Sequence, residues 1–196
     1  MSKLLFVDTE TGGLDPSSYS LLSIAFVVWA DCKIEDYFQV FLDDGNLRVN
    51  EAAIAINKFD LNEHKKRAVD PKTCMSAMNV FFDRHFEKTE SITLVGHNVN
   101  FDINFLKSFY GSVQLKFSDR FSHRSIDTSS ILSYLYFSGI INVRAVSSEA
   151  AFDLFNIRVD QRHSALGDAI ATCHLFNSLI SLGKSVPWVN MHGTNK

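Results

Sequence analysis

Near its start the chain carries a continuous apolar run, Leu4 to Val7, that stops abruptly on a carboxylate at Asp8. Gly12-Gly13 and Asp15-Pro16 follow, so this segment reads as a buried strand running into a turn. Leu21 to Ala30, rich in Ile, Val, Phe and Trp, reads as a second strand. Tyr37 to Leu42 gives a third, closed by the turn signal Asp43-Asp44-Gly45-Asn46. Three strands with short links predict an antiparallel meander.

Helical patterning dominates afterwards. Asp70-Pro71 reads as an N-cap with proline at the first helical position, and Met75, Met78, Phe82 and Phe86 recur at helical spacing as a buried stripe. Ile92 to Val95 is a short apolar strand leading to Gly96-His97-Asn98, with Asn100 as the expected N-cap of a helix to about Tyr110. Further helices are expected over 127–137 and 147–155, the latter stopped by a left-handed Asn156. A final helix is expected from about Ala165 to Leu182, ending at Gly183. Strands first, then alternating helices and strands, imply an α/β chain with a mixed sheet and helices on its faces.

The chain's 196 residues fit one domain, residues 1–183, with a short tail at 184–196. A net charge of −3 and a pI near 6.1 exclude a purely electrostatic nucleic-acid binder, but not an enzyme whose acids are neutralised by metal. Cys32, Cys74 and Cys173 form no CxxC pair, which argues against a disulfide framework or structural zinc and suits a reducing, cytoplasmic setting. No stretch is expected to reach the length of a membrane span, and no membrane partner is expected.

Three segments carry chemistry. In Asp8-Thr9-Glu10, residues i and i+2 on a strand share one face, so two carboxylates project together and repel unless a cation neutralises them. Their hard oxygen ligands suit Mg²⁺ or Mn²⁺. Asp102, in Gly96-His97-Asn98-Val99-Asn100-Phe101-Asp102, falls in a first helical turn, where a dipole-stabilising acid is the plainer alternative. In His163-Ser164-Ala165-Leu166-Gly167-Asp168-Ala169, a separation of five residues puts His163 and Asp168 about 140° apart on one regular helix. If the helix starts after Ser164 as its N-cap, His163 lies on the preceding loop and can reach over Asp168.

Taken together, these segments resemble the DEDDh (DnaQ-like) 3′–5′ exonuclease superfamily, which includes polymerase proofreading subunits, RNase T and oligoribonucleases. Asp8 to Leu14 matches its first motif, Gly96 to Asp102 its second, and His163 to Ala169 its third. The resemblance spans residues 4 to about 182. It implies an RNase H-like (exonuclease) fold with a mixed five-stranded sheet. It also implies two divalent metal ions, Mg²⁺ or Mn²⁺, roughly 3.5–4 Å apart. Asp8 would bridge both ions, Glu10 and Asp168 would complete one site, Asp102 would help hold the other, and His163 would be the general base. Ser164 stands where a related subclass has Tyr, so the histidine subclass fits.

The substrate implied is the 3′ end of single-stranded DNA or RNA, with contacts from Thr9, Thr11, Gly12, Leu14, Asn98 and Phe105. The main chain around Thr11 and Gly12 would meet the terminal sugar and Leu14 would wedge against the last base. Asn98 would orient a phosphate or satisfy a turn. Phe105 would stack on a base or pack with Phe101 and Phe109. Asp127 reads as a helix cap, and Arg120, Arg124, Arg144, Arg158 and Arg162 are phosphate-contact candidates or a solvated face. Gly12-Gly13 departs from the Thr-Gly of many relatives, and the short tail favours a freestanding enzyme, possible as a homodimer. Two alternatives are a non-catalytic binding or polymerase-associated module of the same fold, and a haloacid dehalogenase-type phosphatase. The latter wants an Asp where Glu10 stands and an acid where Thr172 stands.

Overall fold

The computed structural model describes residues 3–51, 60–145, 147–159 and 164–185. Strands β1 (Leu4–Thr11), β2 (Leu21–Ala30) and β3 (Lys33–Phe41) pair antiparallel as the expected meander. β4 (Ile92–Gly96) lies parallel to β1 on its other side, and β5 (Phe121–Asp127) lies parallel to β4, giving the order β3-β2-β1-β4-β5. The carboxyl ends of β1, β4 and β5 therefore open on one edge of the sheet, where α/β architectures place their ligands. Six helices are described: α1 (Leu61–Arg67), α2 (Pro71–His85), α3 (Asn100–Ser112), α4 (Thr128–Phe137), α5 (Ser148–Leu154) and α6 (Ala165–Ser185).

Helices cover both faces of the sheet. On one face Leu5, Val7, Ile24 and Phe26 meet Met75, Met78 and Phe82 of α2 and Leu106 and Phe109 of α3. On the other, Phe6, Ala25 and Val27 meet Ala165, Ala169 and Cys173, a stripe of small residues that lets α6 lie close to the strands. A strand covered on both sides has no solvent face, which is why β2 is buried along its whole length and reads as an unbroken apolar run. The period of two along β1 has a direct consequence for function. Odd-numbered Leu5 and Val7 face α2 and α3, while Phe6 faces α6. Continued along the strand, that alternation sends Asp8 and Glu10 toward α6 and Thr9 toward α3.

Several local expectations hold. Asp70 caps α2 through the N–H groups of Lys72 and Thr73, Asp127 caps α4 through Ser129, and Asn156 adopts a left-handed φ of 54°. Ser164 Oγ accepts from Gly167 N–H at 3.1 Å, as an N-cap should.

Other expectations are corrected. The residue before α3 is Val99, with no side-chain cap, so Asn100 is helical rather than capping. β3 begins at Lys33 because Asp31 and Cys32 make a two-residue reversal with φ of 53° and 65°, a turn normally signalled by glycine. β5 and α1 carry too few apolar residues to show in the sequence pattern. α6 runs through Gly183 to Ser185, and most of the proposed tail lies outside the described residues. By length and composition alone α6 could cross a membrane, contrary to the expectation that no stretch reaches that length. In the fold its apolar stripe is buried on the sheet and against α4 and α5.

Candidate active site

The alternation along β1 delivers two carboxylates to the α6 side of the sheet, and the first turns of α6 present a third. Ligand oxygens of Asp8, Glu10 and Asp168 all lie within 4.8 Å of one another. Ser164 fixes where α6 begins, and its carbonyl accepts from Asp168 N–H at 3.0 Å, so the helix start sets the reach of Asp168. Glu10 is buried, and this desolvation, followed by the charges of Asp168 and Asp102, pushes its carboxyl from an ordinary 4.5 up to about 7. Such crowding is costly for the bare protein. Three converging hard oxygen donors fit a divalent cation.

Asp102 approaches from α3. It is 4% exposed, and burial raises its carboxyl to about 7 against the opposing hydrogen bond from Thr9. That bond, Thr9 Oγ1 donating to Asp102 Oδ1 at 2.7 Å, is what the strand alternation predicts: Thr9 faces α3 while its neighbours face α6. Thr9 is 8% exposed and its hydroxyl is committed to Asp102, so its side chain orients that carboxylate.

The turn after β1 is fixed from within the protein. Thr11 is buried and its Oγ1 donates to the carbonyl of Gly13 at 2.8 Å. Gly12 donates its N–H to the Ser20 carbonyl and accepts from Asn50 N–H through its own carbonyl. A Cβ at Gly12 would stand 2.2 Å from the carbonyl oxygen of Arg48. The missing side chain is thus required by close approach of the 48–50 segment. Leu14, beyond this turn, is 84% exposed.

Other candidates separate cleanly. Asn98 is exposed at the head of α3 in a left-handed conformation, φ 58°. Phe105 is 1% exposed and belongs to the core beneath α3, so it is no stacking platform. Its neighbour Phe101 is only partly buried, with ring centroids 5.1 Å apart; spacing by four along one helix does not tell which of the two rings faces out. Arg120 is buried, donating to the Glu87 carbonyl and pairing with Asp83, and is thereby removed from the phosphate candidates. Arg124, Arg144 and Arg158 are exposed. His163 and Arg162 lie outside the described residues. Thr172, where a phosphatase of the alternative class would want an acid, is buried and donates to the Asp168 carbonyl at 2.8 Å.

Comparison with known proteins agrees with this geometry. An exonuclease family model of the RNase T type matches residues 5–176. The chain is 28% identical over 185 residues to DNA polymerase III PolC-type of Listeria welshimeri, an alignment covering 94% of this chain and 12% of the polymerase. It is 26% identical over 188 residues to ribonuclease T of Buchnera aphidicola subsp. Acyrthosiphon pisum, covering 91% of this chain and 82% of that enzyme. The chain thus spans only a small part of the polymerase relatives. Among solved structures, E. coli exonuclease I in complex with a dT13 oligonucleotide superposes with a TM-score of 0.78 at 14% identity, over 94% of this chain and 42% of that one. That likeness identifies the RNase H-like exonuclease fold. With the family match running from the first strand into the last helix, through all three acidic segments, the chain belongs to the exonuclease family and, within it, to the DEDDh superfamily.

Proposed function

We propose that the protein is a 3′–5′ exonuclease that hydrolyses the terminal phosphodiester bond of single-stranded DNA or RNA with two divalent ions, Mg²⁺ or Mn²⁺, releasing nucleoside monophosphates. The observation that carries this reading is the convergence of Asp8, Glu10 and Asp168 oxygens within 4.8 Å, with Asp102 held beside them by Thr9. Asp8, Glu10 and Asp168 would hold one ion and Asp8 with Asp102 the second. Bound there, the ions would polarise the phosphoryl group and steady the attacking and leaving oxygens. His163, on the segment just before Ser164, accepts the proton of the attacking water. The bond from phosphorus to the 3′ oxygen of the penultimate nucleotide breaks, and the terminal nucleotide leaves as its 5′-monophosphate. Exposed Leu14 meets the last base, and Asn98 orients a phosphate.

Support for a nucleic-acid substrate comes from relatives that act on or bind both DNA and RNA by their names: polymerase, ribonuclease T and an oligonucleotide-bound exonuclease. The free cysteines Cys32, Cys74 and Cys173 suit a cytoplasmic location. The test is shortening of 5′-labelled single-stranded DNA and RNA, read as a ladder, with Mg²⁺, Mn²⁺ or chelator. Stepwise loss from the 3′ end that chelator abolishes is expected. Full activity in chelator, or internal cleavage, contradicts the reading.

A further inference from the structure

The turn that carries Asp102 into the site is held by two residues of the neighbouring strand end. β4 and β5 pair Gly96 opposite Asp127, and beyond that pair the chain reverses through His97, Asn98 and Val99 into α3. Asn98 holds a positive φ of 58°, and its N–H donates to Asp127 Oδ1 at 2.8 Å. The same oxygen accepts from Ser129 N–H at 2.9 Å, while Oδ2 accepts from Ser130 Oγ at 3.3 Å. Thr128 Oγ1 donates to the Gly96 carbonyl at 3.1 Å and lies 3.1 Å from His97 Nδ1. With the hydroxyl proton directed at Gly96, the imidazole completes the chain by donating from Nδ1. Gly96, His97 and Asn98 are each tied to Asp127 or Thr128.

Asp102 is one helical turn further on. The carbonyls of Asn98 and Val99 accept from Phe101 and Ile103 N–H, both at 3.0 Å, so the first turn of α3 moves with Asn98. From the opposite side Thr9 holds the Asp102 carboxylate. Both Asp127 oxygens already accept from N–H or O–H donors.

We infer that Asp127 is a positioning residue, whose single carboxylate oxygen both caps α4 and locks the Asn98 turn so that Asp102 is presented in register with the acids of β1 and α6. This rests on the hydrolytic reading above for its kinetic consequence, but not for its structural one.

Three variants separate the roles. Asp127→Asn keeps an oxygen for both N–H groups, and its turnover is expected within about threefold of wild type. Asp127→Ser still caps α4 but is too short to reach Asn98 as well. It is expected to keep its melting temperature while kcat falls roughly 10- to 100-fold at little-changed KM, because small displacements of a catalytic group have effects of that size. Asp127→Ala is expected to lose both. In the metal-free protein, hydrogen exchange at the Asn98 amide should accelerate in the Ser and Ala variants and not in Asn, and calorimetric Mn²⁺ affinity should fall in the same two. Wild-type Asn98 exchange and wild-type kcat in Asp127→Ser would overturn the inference, as would an Asn variant as impaired as Ala. A wild-type protein without nuclease activity would defeat the hydrolytic reading instead, leaving the exchange and Mn²⁺ results to decide the positioning claim.

Discussion

Replacing Glu10 with Gln removes one charge from the acidic cluster with little change of shape, and the structure fixes the sign of the result. Burial and the charges of Asp168 and Asp102 hold the Glu10 carboxyl at about 7 rather than 4.5. Below the unfolded value it is protonated in both folded and unfolded chains and costs nothing. Between 4.5 and 7 the unfolded chain ionises this group while the folded protein keeps it protonated, so stability is lost across that window and levels off above 7. For a shift of this size the loss is about 3 kcal/mol at pH 8 and about 1 kcal/mol at pH 5. In a chain of this length that corresponds to a melting-temperature difference on the order of 10 °C at pH 8.

The assay is thermal unfolding of wild type and Glu10→Gln in chelator from pH 5 to 8. His64 and His97, whose burial holds them below the usual histidine range, act in the opposite sense but in both proteins, and so cancel in the difference. Glu10→Gln should be the more stable protein, by a margin that widens across that window and then levels off. Saturating Mn²⁺ should stabilise wild type and close the gap. Parallel pH profiles for the two proteins, or a variant less stable at pH 8, would refute the argument that Glu10 is crowded by its neighbours for the sake of a cation.

Further outcomes follow from the same geometry. Thr9→Val keeps the volume on β1 but removes the hydrogen bond to Asp102, and kcat should drop roughly tenfold or more, since a hydrogen bond to a charged group is worth about 1.5–3 kcal/mol; unchanged turnover would return Thr9 to a passive role. Gly12→Ala forces a methyl group onto the Arg48 carbonyl and should destabilise the fold by about 1–3 kcal/mol, read by denaturant unfolding. Phe105→Ala should cost about 3–5 kcal/mol of stability by emptying a core site, without altering the preference among terminal bases in a turnover assay.

Much of this was legible from the residues. The Asp8–Glu10 pair could be placed because period-two alternation needs only a strand, and the apolar run before Asp8 supplied one. Asp168 could be placed once Ser164 was read as a cap, because the cap sets the helix phase. What escaped were features decided between distant segments. β5 is an edge strand with a single buried residue, Phe121, so hydrophobic periodicity could not reveal it; pairing with β4 creates it. The bond from Thr9 to Asp102 is invisible in the residues alone because its two partners lie 93 residues apart, on β1 and α3. Phe101 and Phe105 are adjacent on one helix face, and only the packing of α3 on the sheet decides that Phe105 is covered completely. Asp127 was legible as a cap, but its second bond, to Asn98, depends on the register of two parallel strands.

The central claim, that carboxylates from β1, α3 and α6 together hold the ions of the reaction, is tested most directly by anomalous scattering from Mn²⁺ in crystals soaked with a nucleoside 5′-monophosphate. Two peaks roughly 3.5–4 Å apart are expected, one among Asp8, Glu10 and Asp168 and the other between Asp8 and Asp102, with the nucleotide phosphate against both. Manganese bound elsewhere on the protein, or a site from which the side chains of Glu10 and Asp168 turn away, would contradict the account.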